Sequence, residues 1–416
     1  MARLTRYTAL TRTTNPVRSV GWGETGAPVP ILSLSARGIS PTTSAMRIFL
    51  LPLLATTLFA ADDGWVDVFN GKDLSNWRNV NCAPETWSVA DGVIRCTGKP
   101  TGALIIPRMY ENFEMQVEWR HMSGGGNAGI FIWSSPIAAK GQPFLRAIEV
   151  QVLDHGYGNT KNYTTHGDVF PIHGSSMVPF GRHNGMRSFP SEERSKPSPE
   201  WNRYDISAKD GVLRLSVNGK EVSGGENCNW RKGYVGLESE GAPTEWRLVR
   251  IRELPGNAAT PEQTADELKG HVQLYNGLDL RGWKGADTAT DFVPSDWRLV
   301  LKAGAGGQSI STEKEYGDFE LVADVKLAKG ASENAAGGFA IGGKTALALP
   351  FQQQAGLKPG AWSRLVLTRK GTAISGTVDG NDVAVRALDD GKAARIHIIH
   401  GGEVVELANL YIRELK

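Results

Sequence analysis

The stretch Phe69-Asn-Gly-Lys-Asp-Leu-Ser-Asn-Trp77 returns later in the chain as Tyr275-Asn-Gly-Leu-Asp-Leu-Arg-Gly-Trp283, at an offset of 206 residues. Tyr110-Glu-Asn-Phe-Glu-Met115 and Tyr316-Gly-Asp-Phe-Glu-Leu321 share that offset. Further on, Trp201-Asn-Arg-Tyr-Asp-Ile206 matches Trp362-Ser-Arg-Leu-Val-Leu367, and Ile251-Arg-Glu-Leu254 matches Ile412-Arg-Glu-Leu415, both at an offset of 161. A fixed self-similarity reads as repetition of one folding unit. The chain thus reads as two copies, 64–254 and 271–416, joined by a Pro/Ala/Thr-containing linker over 255–270. The drop in offset means that copy 1 carries 45 residues, between Trp133 and Trp201, that copy 2 lacks. Whatever both copies share is expected to serve folding, which assigns Trp77/Trp283, Trp87/Trp297, Trp201/Trp362 and the Asn-Gly turn mainly to packing and turn chemistry. Whatever copy 1 holds alone is where a site should lie.

The flanking patterns give the fold class. Phe113-Glu-Met-Gln-Val-Glu-Trp119, Val212-Leu-Arg-Leu-Ser-Val217 and Glu245-Trp-Arg-Leu-Val-Arg-Ile251 alternate with period two, the signature of half-buried strands. Asp91-Gly92, Asn218-Gly219 and Asp379-Gly380 lie between such runs and predict tight hairpins. The 416 residues include 49 glycines, and short β-branched and aromatic runs recur without helical periodicity. The prediction is an all-β chain of two tandem sandwiches.

The formal net charge of +2 gives no basic footprint for nucleic acid. From Met46 a basic start, an apolar run over Ile48–Ala60 and small residues predict a secretory signal over 46–61, hence a periplasmic or extracellular protein. The run is too short for a transmembrane span, which needs ~20 residues. Residues 1–45, with five arginines and one acid, read as a structureless extension upstream of the true start, or as an organelle transit peptide. Cys82, Cys96 and Cys228 allow one disulfide in an oxidising compartment or three buried thiols, and no zinc spacing is present.

Three stretches peculiar to copy 1 carry candidate chemistry. In Ile148-Glu149-Val150-Gln151-Val152-Leu153-Asp154, alternation puts Glu149 and Gln151 on one face. That suits a ligand surface over a sandwich core, although a solvated outer face gives the same pattern. Thr165-His166-Gly167-Asp168-Val169-Phe170-Pro171-Ile172-His173 offers two histidines and an aspartate among glycines, suited to proton transfer near neutrality. A plain turn would use the same residues. Arg182-His183, Arg187 and Glu192-Glu193-Arg194 supply forked guanidinium groups for oxygen ligands, or a solvated charged loop.

Taken together, Phe69-Asn-Gly-Lys-Asp-Leu74, Gly126-Asn-Ala-Gly-Ile-Phe131, Glu149-Val-Gln-Val-Leu-Asp154, Pro199-Glu-Trp-Asn202 and Arg250-Ile-Arg-Glu-Leu254 resemble the 3-keto-disaccharide hydrolase domain family. The resemblance implies a concanavalin-like jelly roll, with copy 2 degenerate, and an activity on 3-keto-glycosides. It implies a carbohydrate substrate, a separate oxidoreductase that supplies the keto sugar, and no required cofactor. A structural calcium fits such folds, but no ligand set is legible and the metal content is left unknown. Related laminarinase-like glucanases place two carboxylates at i and i+4, whereas here Glu149 is followed by Gln151 and Leu153, which disfavours a carboxylate pair on this strand. The expected route is removal of the C2 proton beside the ketone, loss of the C1 substituent and addition of water. Glu149 or His166 is the expected base, Asp168 its partner, and Arg182 or Arg194 the oxyanion stabiliser. Gln151, Asp154, His173 and Glu192 are expected to hold sugar hydroxyls. Many relatives read Leu-Gln-x-His-Gly where this chain reads Leu237-Glu238-Ser239-Glu240-Gly241, so a histidine role there does not carry over. The rival expectations are a non-catalytic lectin-like module and an ordinary glycosidase with carboxylates on different strands.

Overall fold

Alternation becomes sheet wherever the sequence shows it. The computed structural model describes residues 63–331, 337–342, 348–351, 356–385 and 391–416, and the expected extension and export signal lie outside them. Phe113–His121 alternates buried and half-buried without a break. It sits between Asn202–Lys209 and Thr244–Glu253 in a nine-stranded antiparallel sheet. An eight-stranded sheet faces it. Its order runs from Arg78–Val80 through Gly102–Ile105, Tyr234–Ser239, Asn127–Ser134, Ala147–Leu153 and Val169–Ile172 to the small hairpin Arg187–Ser188/His183–Asn184. Between the sheets Met115, Val117 and Trp119 meet Ile130, Ile132, Val150, Val152 and Leu237, all buried. Each such side chain stabilises the sandwich by roughly 1.5–3 kcal/mol.

Residues 271–416 form a second pair of sheets, eight- and five-stranded among the described residues. Phe319–Leu327 lies between Trp362–Lys370 and Val405–Glu414, the order that Phe113–His121 has in the first sandwich. Val169–Ile172, Ser176–Pro179, His183–Asn184 and Arg187–Ser188 lie within the stretch that holds the 45-residue excess and, among the described residues, have no counterpart in the second sandwich. The protein is therefore all-β, two jelly-roll sandwiches in series.

Turn chemistry follows the predicted residues. Asp91-Gly92, Asn218-Gly219 and Asp379-Gly380 all have positive φ at both positions, the conformation that twists a two-residue hairpin correctly. Asn70 Oδ1 accepts from the backbone N–H of Lys72 and Asp73 at 2.8 and 2.9 Å, and Asn276 does the same for Leu278 and Asp279. The tryptophans divide. Trp77, Trp87 and Trp283 are buried, whereas Trp201 lies under the guanidinium groups of Arg120 and Arg247, and Trp297 packs on Trp362 at 5.8 Å. All three cysteines are buried free thiols, so the disulfide alternative is not realised.

The expected linker is no loose tether. Ala265 is buried, its N–H bonds Lys232 O at 2.8 Å, and Leu268 N–H donates to Tyr234 Oη at 2.7 Å. Both sandwiches fall within one compact unit. The outer face of the second sandwich's larger sheet covers Val80, Ala103 and Ile105 of the first with Val322 and Tyr411. Polar groups seal this contact. Asn81 Nδ2 donates to Asn409 Oδ1 at 2.8 Å, and Tyr411 Oη donates to Asn81 Oδ1 at 2.8 Å. The fully buried Asp324 accepts from Asn409 Nδ2, Gly141 N and Arg364.

Candidate active site

The rest of the same sheet face gathers the candidate residues. Across adjacent strands Phe131 pairs with Glu149 and Gly129 with Gln151, while Leu237 pairs with Ile130, so Glu238 arrives beside Gly129. Period-two alternation then places Glu149, Gln151, Glu238 and Asn127 on the outer side of the sheet. A Cβ built on Gly129 would lie 2.8 Å from Glu238 Oε2 and 3.0 Å from Glu149 Oε1. The two carboxyl oxygens therefore sit less than about 6 Å apart, leaning over a residue that has no side chain.

Glu149 and Glu238 are buried, at 6% and 1% exposure. Burial pushes Glu149 up to about 8, with further raising by Glu240 and Asp168 against a lowering by Arg187. Burial, then Glu149 and Glu240, hold Glu238 well above the carboxylate range. Among the described residues neither oxygen of Glu238 has a hydrogen-bond partner. Glu240, half-buried, is raised by burial and by Asp296 of the second sandwich, and Asn127 donates to it. Asp296 is anchored by Thr101, whose N–H and hydroxyl both donate to its carboxylate at 2.7 Å.

On the other flank Arg187 Nη1 lies 2.9 Å from Asp168 Oδ2 and 3.4 Å from Gln151 Oε1, with its guanidinium 3.3 Å above the Phe170 ring. Gln151 Nε2 in turn donates to Asn127 Oδ1 at 2.7 Å. Glu149, Gln151 and Asp168 are thus brought together. The other expected site residues are not.

His166 is fully buried, and burial, then His155, pushes its ring down to about 4. Its Nε2 accepts backbone N–H groups from Arg194 and Ser195 at 3.2 and 3.3 Å, and Nδ1 lies 3.2 Å from Thr165 Oγ1. That neutral, fully engaged ring fastens a loop and has no lone pair left for a substrate proton. Asp168 does not partner it, being bonded to Arg187 and Thr164. His155, His166 and Glu193 do bring potential metal-ligand atoms within 4.8 Å of one another, but both ring nitrogens of His166 already have partners.

The remaining corrections are structural in kind. Asp154 accepts from the N–H groups of Gly125, Gly156 and Ser198, which ties three loops together. Arg194 spans the carbonyls of Val217 and Asn218, and Glu192 pairs with Arg194 and Lys220. Arg182 is exposed and lies over Phe189. His173 packs against Phe144, which also packs on Phe131. Sequence reasoning named Arg187 only as one guanidinium of a candidate stretch, without a role, and missed Glu238, Glu240 and Asn127 as members of this cluster. The signal for Glu238 and Glu240 was the departure from Leu-Gln-x-His-Gly, a pattern that places the residue pair on the face where Glu149 lies.

No helix among the described residues is long and apolar enough to cross a membrane. Residues 64–252 match the family model of the 3-keto-alpha-glucoside-1,2-lyase-like domain. A 3-keto-disaccharide hydrolase of Bacteroides thetaiotaomicron is 24% identical, over 46% of this chain and 79% of that protein. A proposed glycosyl hydrolase from Parabacteroides distasonis is similar in structure, at 22% identity and TM-score 0.37, covering 46% of this chain and 95% of that one. A β-glucanase of Bacillus licheniformis gives 12% identity and TM-score 0.27, over 46% and 97% of the two chains. The family match therefore falls on the first sandwich, which carries Glu149, Gln151 and Glu238.

Proposed function

We propose that the first sandwich cleaves 3-keto-glucosides or 3-keto-disaccharides by elimination and hydration, in an exported protein whose keto substrate comes from a separate oxidoreductase. The carrying observation is the grouping of Glu149 with Arg187 on one sheet face, a carboxyl pushed up to about 8 beside a fixed guanidinium. A ketone at C3 acidifies the C2 proton. Ionised Glu149 takes that proton, and charge builds on the C3 oxygen, where the forked guanidinium of Arg187 and the amide of Gln151 stabilise it. Collapse of the enolate expels the C1 oxygen, and water adds to the C1–C2 double bond. A base with a raised pKa is stronger than an ordinary carboxylate, which suits a carbon acid. The second sandwich, which lacks the inserted strands, is a degenerate copy with a supporting part.

The test uses the full chain with an aryl glucoside and its 3-keto form. Release of the phenol from the keto compound alone is expected. Binding of the keto compound without release would leave a lectin-like module.

A second reading rests on the same carboxyl pair. Retaining glycosidases hold their two carboxyl groups ~5–5.5 Å apart, and Glu149 and Glu238 approach within about 6 Å from neighbouring strands. Release from the unoxidised glucoside would favour it.

A further inference from the structure

We propose that Glu238 is the proton donor to the departing C1 oxygen, an assignment that rests on the elimination reading above. Glu238 has 1% exposure and neither carboxyl oxygen has a partner. Buried polar groups are satisfied in folded proteins as a rule, and an orphan calls for a ligand. Its Oε2 is directed over Gly129, where the nearest other atoms belong to Glu149. Among the described residues no cation pairs with Glu238, and two further carboxyls stand beside it. An unpaired charge in that place would cost several kcal/mol, so the group keeps its proton and is an acid in wait. Glu149 is already engaged with the C2 proton, and Glu240 accepts from Asn127 and is raised further by Asp296. Glu238 is left as the acid whose proton no protein group holds.

The step balances. The C1–O bond breaks, its electron pair goes to the leaving oxygen, and that oxygen takes the Glu238 proton as the enolate reopens to the C3 ketone. The Glu238 carboxylate then removes a proton from the water that adds at C1, which restores the acid for the next turnover. The burial that suppresses its charge also makes the ionised form short-lived, which favours this return.

Leaving-group dependence reads the role directly. A 4-nitrophenolate departs without help, whereas a sugar or alkyl alkoxide needs a proton. For Glu238→Gln, turnover of a 3-keto-disaccharide is expected to fall ~10²–10⁴-fold, the range of general acid catalysis, while 4-nitrophenyl 3-keto-glucoside falls less than ~10-fold. The isosteric change and an unchanged unfolding temperature separate chemistry from folding. An equal loss on both substrates, or no loss on either, overturns the assignment and leaves the elimination reading intact. Inactivity of the wild-type chain on both 3-keto compounds overturns the two together.

Discussion

Arg187 Nη1 sits 2.9 Å from Asp168 Oδ2, and the aspartate is fully buried while the arginine keeps one side toward solvent. The pair is therefore a fixed charge on the site face, oriented from below by Asp168 and flanked by Phe170. Removing one member of such a pair costs about 3–5 kcal/mol because the other charge is left buried alone. Arg187→Ala is expected to lower the unfolding temperature measurably and to cut turnover of a 3-keto-glucoside by ~10²–10³, the loss typical of one oxyanion donor. Arg187→Lys keeps the charge but not the fork, so it should recover stability more than rate. Denaturation curves and initial rates on the two variants check this, and full activity in Arg187→Ala would remove the residue from the mechanism.

Gly129 tests the geometry from the other side. An added methyl would meet Glu238 Oε2 at 2.8 Å and both Cγ and Oε1 of Glu149 at 3.0 Å. Gly129→Ala should therefore displace both buried carboxyls, at some cost in stability. A displacement near 1 Å can cost ~10²-fold in rate. Calorimetry together with kcat on a 3-keto-glucoside decides whether the loss is catalytic.

The Glu149 shift fixes the sign of two pH effects. Its carboxyl, about 4.5 when unfolded, is pushed up to about 8 in the fold. As a base it works only when ionised, so kcat/KM is expected to rise with pH and level off above about 8. For stability the folded form binds the extra proton between those two values, so stability is greatest below about 4.5 and is lost as pH rises through about 8. Glu149→Gln should abolish aglycone release and flatten that slope in urea titrations, whereas an unchanged slope would place the raised carboxyl elsewhere.

His166 gives the contrasting expectation. With both nitrogens occupied inside the fold, His166→Ala strands two backbone N–H groups at a cost of about 1–3 kcal/mol each. Its main effect should be a lower unfolding temperature and faster proteolysis near Arg194–Ser195, with turnover preserved well below that temperature. A loss of rate as complete as that of Glu149→Gln, with the fold intact, would restore His166 as a base.

How much was legible depends on the distance over which information travels along the chain. Strands and hairpins are written locally, in alternation and in Asn-Gly or Asp-Gly pairs, so the sandwich could be read from Phe113–Trp119 and Asn218-Gly219. Glu149 and Gln151 could be found for the same reason, since period two puts both on one face. Glu238 joins them only through strand order and register, which no single stretch encodes. The histidines misled because His166 and Asp168, two residues apart, have separate partners: one the backbone of Arg194 and Ser195, the other Arg187 and Thr164. Of the shared tryptophans expected to serve packing, Trp201, Trp297 and Trp362 do so half-buried, against arginines or other rings, and not inside a core.

The junction formed by Asn81, Asn409, Asp324, Arg364 and Tyr411 makes the halves mutually dependent in a way that their serial order hides. Excision of residues 64–254 would bare Ala103 and Ile105 one strand away from Glu238 and Val80 two strands away, and would strip Asn81 of its partners. The whole protein should accordingly melt in a single calorimetric transition, and the isolated front half should aggregate. A catalytically silent half would then be retained by selection because the working half cannot stay soluble without it.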